Sequence, residues 1–124
     1  MTGLNLRPDK NGDIIYLQSQ NFDENGILKT KLLPEVSRMK VNEQYILRPG
    51  DIIFAAKGSK NFAALFEEKN DPAVPSTTFF ILRKYSNNVN LKSEFVVWYL
   101  NQPQTQNKIK KYITGSSIQS LSLI

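Results

Sequence analysis

One four-residue turn constrains this chain more than any other local feature. Arg48-Pro49-Gly50-Asp51 has the pattern of a type II turn, in which proline presets φ at the second position and glycine supplies a positive φ at the third. The apolar run 52–56 follows at once, and 77–82 is a second run of this kind. Short apolar runs bounded by turn signals are typical of buried strands, so these two segments are predicted to be the central strands of a sheet.

Further turn signals outline the first two thirds of the chain. Asn11-Gly12 and Asn25-Gly26 are dipeptides that accept the positive φ angles of tight hairpin turns, and residues 13–17 between them are a predicted strand. Residues 57–76 contain Gly58 near their start and two prolines near their end. That composition predicts a long excursion between the central strands rather than a simple hairpin turn.

The last third changes to helical spacing. Phe95, Val96, Tyr99 and Leu100 recur as on a helix that ends near residue 101, with Asn90 or Ser93 as its cap. A second helix is predicted from Pro103 to Gly115. We therefore expect a single compact α+β domain over 1–124 with a mixed, partly barrel-like sheet and a C-terminal helical hairpin. Its segments are a leader (1–12), strands and loops (13–89), a helix pair (90–114) and a closing strand (115–124).

The composition excludes several chemistries. The chain has no cysteine, which excludes disulfides, thiolate metal sites and thiol nucleophiles, and no histidine, the commonest general acid or base near neutral pH. No apolar run approaches the roughly 18 to 20 residues of a membrane-spanning helix, and the first ten residues lack the apolar middle of a secretory signal. We expect a cytoplasmic protein with no cofactor, no metal and no membrane partner.

The charge balance favours a polyanionic partner. There are 16 Lys and Arg against 11 Asp and Glu, which gives a net charge of +5 and a pI near 9.5. Asp51 with Glu67-Glu68-Lys69 matches the carboxylate and lysine pattern of metal-dependent nucleases only superficially. That chemistry needs its side chains on adjacent core strands, whereas 67–69 lie in a polar excursion and Asp51 already belongs to a turn. The chain is therefore not expected to be an enzyme.

Three segments occur in an order that points to one family. They are RPGDIIFAAKGS at 48–59, PSTTFFILR at 75–83 and YITGSSI at 112–118. In this order and spacing the chain resembles the target-recognition domain of the specificity subunit of type I restriction-modification systems, over about residues 12 to 123. The resemblance implies an α+β domain that binds duplex DNA and reads half of a split site. Methyltransferase and restriction/translocase subunits would be partners that do the chemistry.

Two segments have the side chains that such reading needs. Lysines flank a small, flexible turn in 57–61, where they can approach phosphates, and the asparagine there can pair with adenine. The uncharged polar run 18–21 supplies further amides that match the adenine edge, and two serines after the second helix can donate to phosphates. The candidate DNA-binding residues are Lys57, Gly58, Ser59, Lys60, Asn61, Gln18, Ser19, Gln20, Asn21, Ser116 and Ser117.

Less specific interpretations of the same residues remain open. Residues 57–61 can be a solvated hairpin end and 18–21 a polar turn, while Lys108, Lys110 and Lys111 fit a solvated helix face. Trp98, Tyr99 and Tyr112 are expected to pack in the core rather than to stack on bases. The alternative function is a non-catalytic domain that binds protein or RNA, and a two-fold homodimer is an open option for a lone recognition domain.

Overall fold

The computed structural model describes residues 1–57, 60–84 and 91–114. Within these ranges the strands are β1 (Ile15–Leu17), β2 (Ile52–Ala55), β3 (Ala63–Leu65), β4 (Ala73–Pro75) and β5 (Phe79–Leu82). The helices are α1 (Ser93–Leu100) and α2 (Pro103–Thr114), with short 3-10 helices at Ser19–Asn21, Arg38–Lys40 and Glu43–Tyr45. The domain is therefore α+β, as expected. None of the helices in this described part is long and apolar enough to cross a membrane.

The two predicted central strands are confirmed, but the predicted barrel-like closure is wrong. β2 pairs with β5 and β3 in an antiparallel sheet of order β3-β2-β5, and β1 pairs with β4 in a separate parallel sheet. The excursion between the central strands supplies both β3 and β4. Because β4 pairs with β1 instead of β3, the two sheets remain separate and do not close into a barrel.

The first residues, expected to be a leader, are part of the fold. Thr2 forms a bridge with Phe80 of β5, and the Gly3 N–H donates to the Phe79 carbonyl at 3.0 Å. The Leu4 N–H then donates to the Pro75 carbonyl of β4 at 2.9 Å. This segment therefore connects the outer edge of β5 to the parallel pair.

Glycine is required at two of the turns for different reasons. Gly50 has φ +92° and the Asp51 N–H donates to the Arg48 carbonyl at 2.9 Å, which confirms the turn before β2. Gly12 does not adopt the positive φ predicted from the Asn-Gly dipeptide. A Cβ atom there would lie 2.4 Å from the Glu35 carbonyl carbon, so close backbone approach explains this glycine.

The three-stranded sheet is covered on both faces. Successive side chains of a strand point to opposite faces. Ile53, Ala55, Phe79 and Ile81 belong to one apolar cluster, which also includes Ile15 and Leu17 of β1. Ile52, Phe54 and Phe80 belong to another, which Val96, Val97 and Leu100 of α1 cover together with Ile109 of α2. The parallel pair thus lies on one face and the helical hairpin on the other.

The helical hairpin is confirmed, with a different start. The N-cap of α1 is Lys92 and not the predicted Ser93. The Ser93 Oγ instead donates to the Gly50 carbonyl at 2.7 Å. The other predicted cap, Asn90, lies outside the described residues. The second helix starts at Pro103 as predicted, whereas Gly115 and the predicted closing strand also lie outside the described residues. Between the helices, the Asn101 side chain exchanges two hydrogen bonds with the Ala63 backbone, at 2.8 and 2.9 Å.

The expectation that Trp98, Tyr99 and Tyr112 pack in the core is wrong, since all three are exposed. Trp98 and Tyr99 are exposed because the aliphatic side of α1 covers the sheet, whereas on α2 it is Ile109 and not Tyr112 that packs there. Burial of one side of a short helix leaves the other side to solvent.

A buried ion pair fixes the end of the sheet that carries the Arg48–Asp51 turn. The Asp51 side chain is 3% exposed and that of Arg83 17%, and the guanidinium donates to both carboxylate oxygens at 2.7 to 3.2 Å. Arg83 also donates to the Gln44 and Ile46 carbonyls, and the Arg48 N–H donates to the same carboxylate. Every charged or polar group of this network therefore has a partner.

Removing one charge of this pair should be costly. Asp51→Ala leaves the guanidinium without its counter-charge, so we expect the free energy of unfolding to fall by about 3 to 5 kcal/mol. Asp51→Asn keeps an acceptor for the Arg48 N–H and should lose less. Glu43→Ala breaks the exposed Arg38–Glu43 pair at 3.3 Å and, as the matched control, should lose much less stability than Asp51→Ala, because an exposed pair contributes little. Urea unfolding measures all three, and equal losses for Asp51→Ala and Glu43→Ala would contradict the assignment.

Candidate nucleic-acid interface

Three loops meet at the end of the sheets opposite the Asp51–Arg83 pair. Leu17 is paired with Pro75 and Ala55 with Phe79, so the residues that follow β1, β2 and β4 emerge together. The Ser76 N–H donates to the Leu17 carbonyl at 2.8 Å, and the Ala56 N–H donates to the Thr78 carbonyl at 2.9 Å. We call residues 18–21, Lys57, Lys60 and 76–78 the loop-end surface.

A cluster of phenylalanines supports this surface from below. The Phe22 and Phe62 ring centroids are 5.3 Å apart, and both rings meet Phe79 edge-on at 5.7 and 5.9 Å. Phe22 directly follows the polar run 18–21, and Phe62 directly follows Asn61. The packing therefore places the residues that directly follow the two candidate segments next to each other.

The polar run 18–21 forms a single 3-10 turn, Ser19–Asn21. The Asn21 side-chain carbonyl accepts from the Gln18 N–H at 2.8 Å, so this amide holds the turn. Gln20 is exposed, and its Nε2 makes only a 3.3 Å hydrogen bond to the Gln18 side chain. Of the four residues, Gln20 thus presents its amide to solvent best.

Lys57 and Lys60 of the candidate segment 57–61 are exposed, as a phosphate contact requires. Lys57 directly follows the buried Ala56, and the Lys60 Nζ lies 2.7 Å from the Glu24 carboxylate. Both partners of that pair are at least half exposed, so the pair is worth little and can exchange for a phosphate. Gly58 and Ser59 lie outside the described residues.

Asn61 has a structural position that conflicts with its predicted role as a base contact. It is 3% exposed, and its Nδ2 donates to the Ala55 carbonyl at 2.8 Å. Its own backbone carbonyl accepts from Gln106 Nε2 of α2 at 2.7 Å. Asn61 therefore holds the loop after β2 and joins it to the second helix, and its side chain is not available to contact a base.

The hydroxyl run 76–78 also lies at this end, which the sequence analysis did not include among the site residues. Thr77 is exposed between Ser76 and Thr78, whose hydroxyl oxygens are 2.7 Å apart. The signal available in the sequence was three consecutive hydroxyl side chains directly before a predicted strand. Such groups donate to phosphate oxygens without regard to sequence.

The remaining candidates lie elsewhere. Ser116 and Ser117 fall outside the described residues, and Lys108, Lys110 and Lys111 are exposed on α2. The nuclease pattern is not assembled, since Asp51 is bound by Arg83 and Glu67 instead pairs with Lys69 at 3.6 Å. In the described ranges, no three His, Cys, Asp or Glu residues are grouped to hold a metal.

Two pKa shifts mark ion pairs away from the loop-end surface. The Asn11 N–H, followed by Lys40, lowers the pKa of Asp9 below its usual value, because both favour the charged carboxylate. Glu43 raises the pKa of Arg38 through a hydrogen bond and its charge. Both pairs lie at the surface, where an ion pair contributes little stability, and neither belongs to the three loops of the candidate interface.

Asn61 should affect stability rather than base preference. Asn61→Ala leaves the buried Ala55 carbonyl without its donor, and we expect a loss of about 1 to 3 kcal/mol in the free energy of unfolding. The preferred DNA sequence of the folded fraction should not change. Thermal unfolding and sequencing of retained duplexes measure the two quantities. A shift in base preference at unchanged stability would return Asn61 to the reading surface.

The comparisons with known proteins do not supply a function. No protein-family model matches the chain, and none of the curated proteins matches it. What the site can do therefore follows from its own chemistry. Its described residues include the exposed Lys57 and Lys60, the exposed Gln20 amide and the exposed Thr77 hydroxyl, which lie at the common end of the two sheets above the phenylalanine rings.

Proposed function

We propose that this chain is a non-catalytic domain that binds double-stranded DNA and reads its sequence through the loop-end surface. One observation carries the proposal. Phe22, which directly follows the polar run 18–21, packs on Phe62, which directly follows Asn61, with ring centroids 5.3 Å apart, so Gln20 and the lysines Lys57 and Lys60 belong to neighbouring loops. Amides that recognise bases and cations that bind phosphates must act on the same stretch of duplex, so their proximity supports a shared role.

The exposure and charge of each residue in the loop-end surface indicate which part of the duplex that residue would contact. Lys57 and Lys60 would neutralise phosphates and fix the domain on the duplex, and the Thr77 hydroxyl would add a phosphate contact. Gln20 would read an adenine through its N6 and N7 edge. The phenylalanine cluster and the hydrogen bonds of Asn21 and Asn61 would keep these loops in place, which a reading site needs.

The wider role rests on the resemblance to type I specificity subunits. In that role the chain would supply target recognition in the cytoplasm, while methyltransferase and restriction/translocase subunits modify or cleave the DNA. The absence of histidine and cysteine fits a domain that leaves catalysis to partners.

Selection from a random duplex pool at two salt concentrations tests the proposal. We expect a short enriched motif, with total binding that falls as salt rises because bound phosphates release counterions. Lys57→Ala should weaken binding to all sequences and lower the salt slope by about 0.9. Gln20→Ala should relax preference at particular base pairs, by about 1 to 3 kcal/mol of discrimination.

Lys84→Ala is the matched control for Lys57→Ala. Lys84 is exposed beyond the far end of β5, so the charge change is the same but the loop-end surface is untouched. Equal effects of the two substitutions would mean that net charge alone drives binding. If the unaltered chain binds no DNA at either salt concentration, the alternative function, a domain that binds protein, is favoured instead.

Releasing Lys60 from its carboxylate should strengthen DNA binding. Glu24→Gln removes the anion that competes with phosphate for the Lys60 ammonium. We expect affinity to rise by up to about fivefold, the equivalent of about 1 kcal/mol for an exposed pair. Glu67→Gln is the matched control, since it breaks the exposed Lys69 pair at the opposite end of β3. Fluorescence anisotropy with labelled duplex should give a larger gain for Glu24→Gln, and an equal gain would exclude Lys60 from the interface.

A further inference from the structure

The segment 57–61, which carries Lys57 and Lys60, is attached to the helical hairpin by one side chain. The Asn61 backbone carbonyl accepts a hydrogen bond from Gln106 Nε2 of α2 at 2.7 Å. The same Nε2 donates to the carbonyl of Leu100, the last residue of α1, also at 2.7 Å. The Gln106 amide therefore connects the segment 57–61 to both helices.

The chemistry of glutamine suits this position. Its amide nitrogen carries two hydrogens, and the two carbonyls use both. The last carbonyls of a helix have no partner within the helix, and Asn61 is only 3% exposed, so both acceptors gain from a donor. A glutamate of the same length could not donate when ionised, and it would place a carboxylate against both carbonyl oxygens.

Asn61 in turn joins the two ends of this segment. Lys60 directly precedes Asn61, and the Asn61 side chain donates at 2.8 Å to the carbonyl of Ala55, the last residue of β2. The Ala55 N–H also donates to the Phe62 carbonyl at 2.9 Å. Holding Asn61 in place therefore holds both points from which the lysines extend. Cations that are held in advance lose less conformational freedom when they bind phosphates.

We propose that Gln106 is a positioning residue for the phosphate contacts of Lys57 and Lys60. This role rests on the proposed function, and in it Gln106 acts through Asn61 rather than by contacting DNA. A chain without the Gln106 donor would keep both cations, but DNA would have to order the segment on binding. The number of phosphates contacted would then be unchanged, and the affinity would fall.

Gln106→Met tests the first step without DNA, because it keeps the length of the side chain and removes the donor. Hydrogen–deuterium exchange of the Ala55 N–H should become at least about threefold faster, since the segment opens more easily. Gln102→Met is the matched control. The Gln102 amide donates to the Trp98 carbonyl at 3.2 Å in the same hairpin, so its loss should leave Ala55 exchange unchanged. Far-UV circular dichroism checks that both variants are folded.

Fluorescence anisotropy with labelled duplex tests the second step. Gln106→Met should raise the Kd about three- to tenfold for all sequences. The salt slope should stay that of the unaltered chain, because Lys57 and Lys60 are both retained. In a chain that already carries Lys57→Ala and Lys60→Ala, Gln106→Met should change the Kd by less than about twofold, since the cations through which it acts are gone.

Two results would overturn the positioning role. The first is Ala55 exchange that is unchanged, or that speeds up no more than exchange of the Leu47 N–H, which donates to the Ala73 carbonyl of β4 and reports general loss of stability. The second is an equal rise of the Kd in both backgrounds. If the unaltered chain binds no duplex, the proposed function fails together with the DNA role of Gln106, whereas faster Ala55 exchange would still show that Gln106 holds the segment.

Discussion

The hydrogen-bonded ion pair between Asp51 and Arg83 is the contact on which the rest of the architecture depends. A buried carboxylate is tolerated only when it is paired and fully hydrogen-bonded, and here the guanidinium and the Arg48 N–H satisfy it. The same guanidinium holds the Gln44 and Ile46 carbonyls, so one side chain joins the end of β5 to the turn before β2 and to the segment that precedes it. The pair thereby fixes this end of the sheet, and the residues that follow β1, β2 and β4 emerge at the opposite end.

Patterns of neighbouring residues predicted those elements of the fold whose structure depends on neighbouring residues. The proline and glycine of the turn preset its backbone angles, and the two apolar runs beside turn signals became β2 and β5. β3 and β4 were missed because each has three residues and exists only by pairing with a distant strand. The role of Arg83 was equally hidden, since its partner is 32 residues away.

In the candidate site, too, the sequence did not predict what depends on distant residues, namely which side chains are exposed. Asn61 and Gln20 both carry the amide that recognises adenine, and only tertiary packing decides that the first is buried under a carbonyl and the second is exposed. The spacing of Phe95, Val96, Tyr99 and Leu100 predicted the helix α1 but not which of its sides is buried. The sheet selects the aliphatic side, because Val96, Val97 and Leu100 fit against Ile52 and Phe54. The packing of Phe22 on Phe62, which lie 40 residues apart in the sequence, is likewise something that no local pattern reveals.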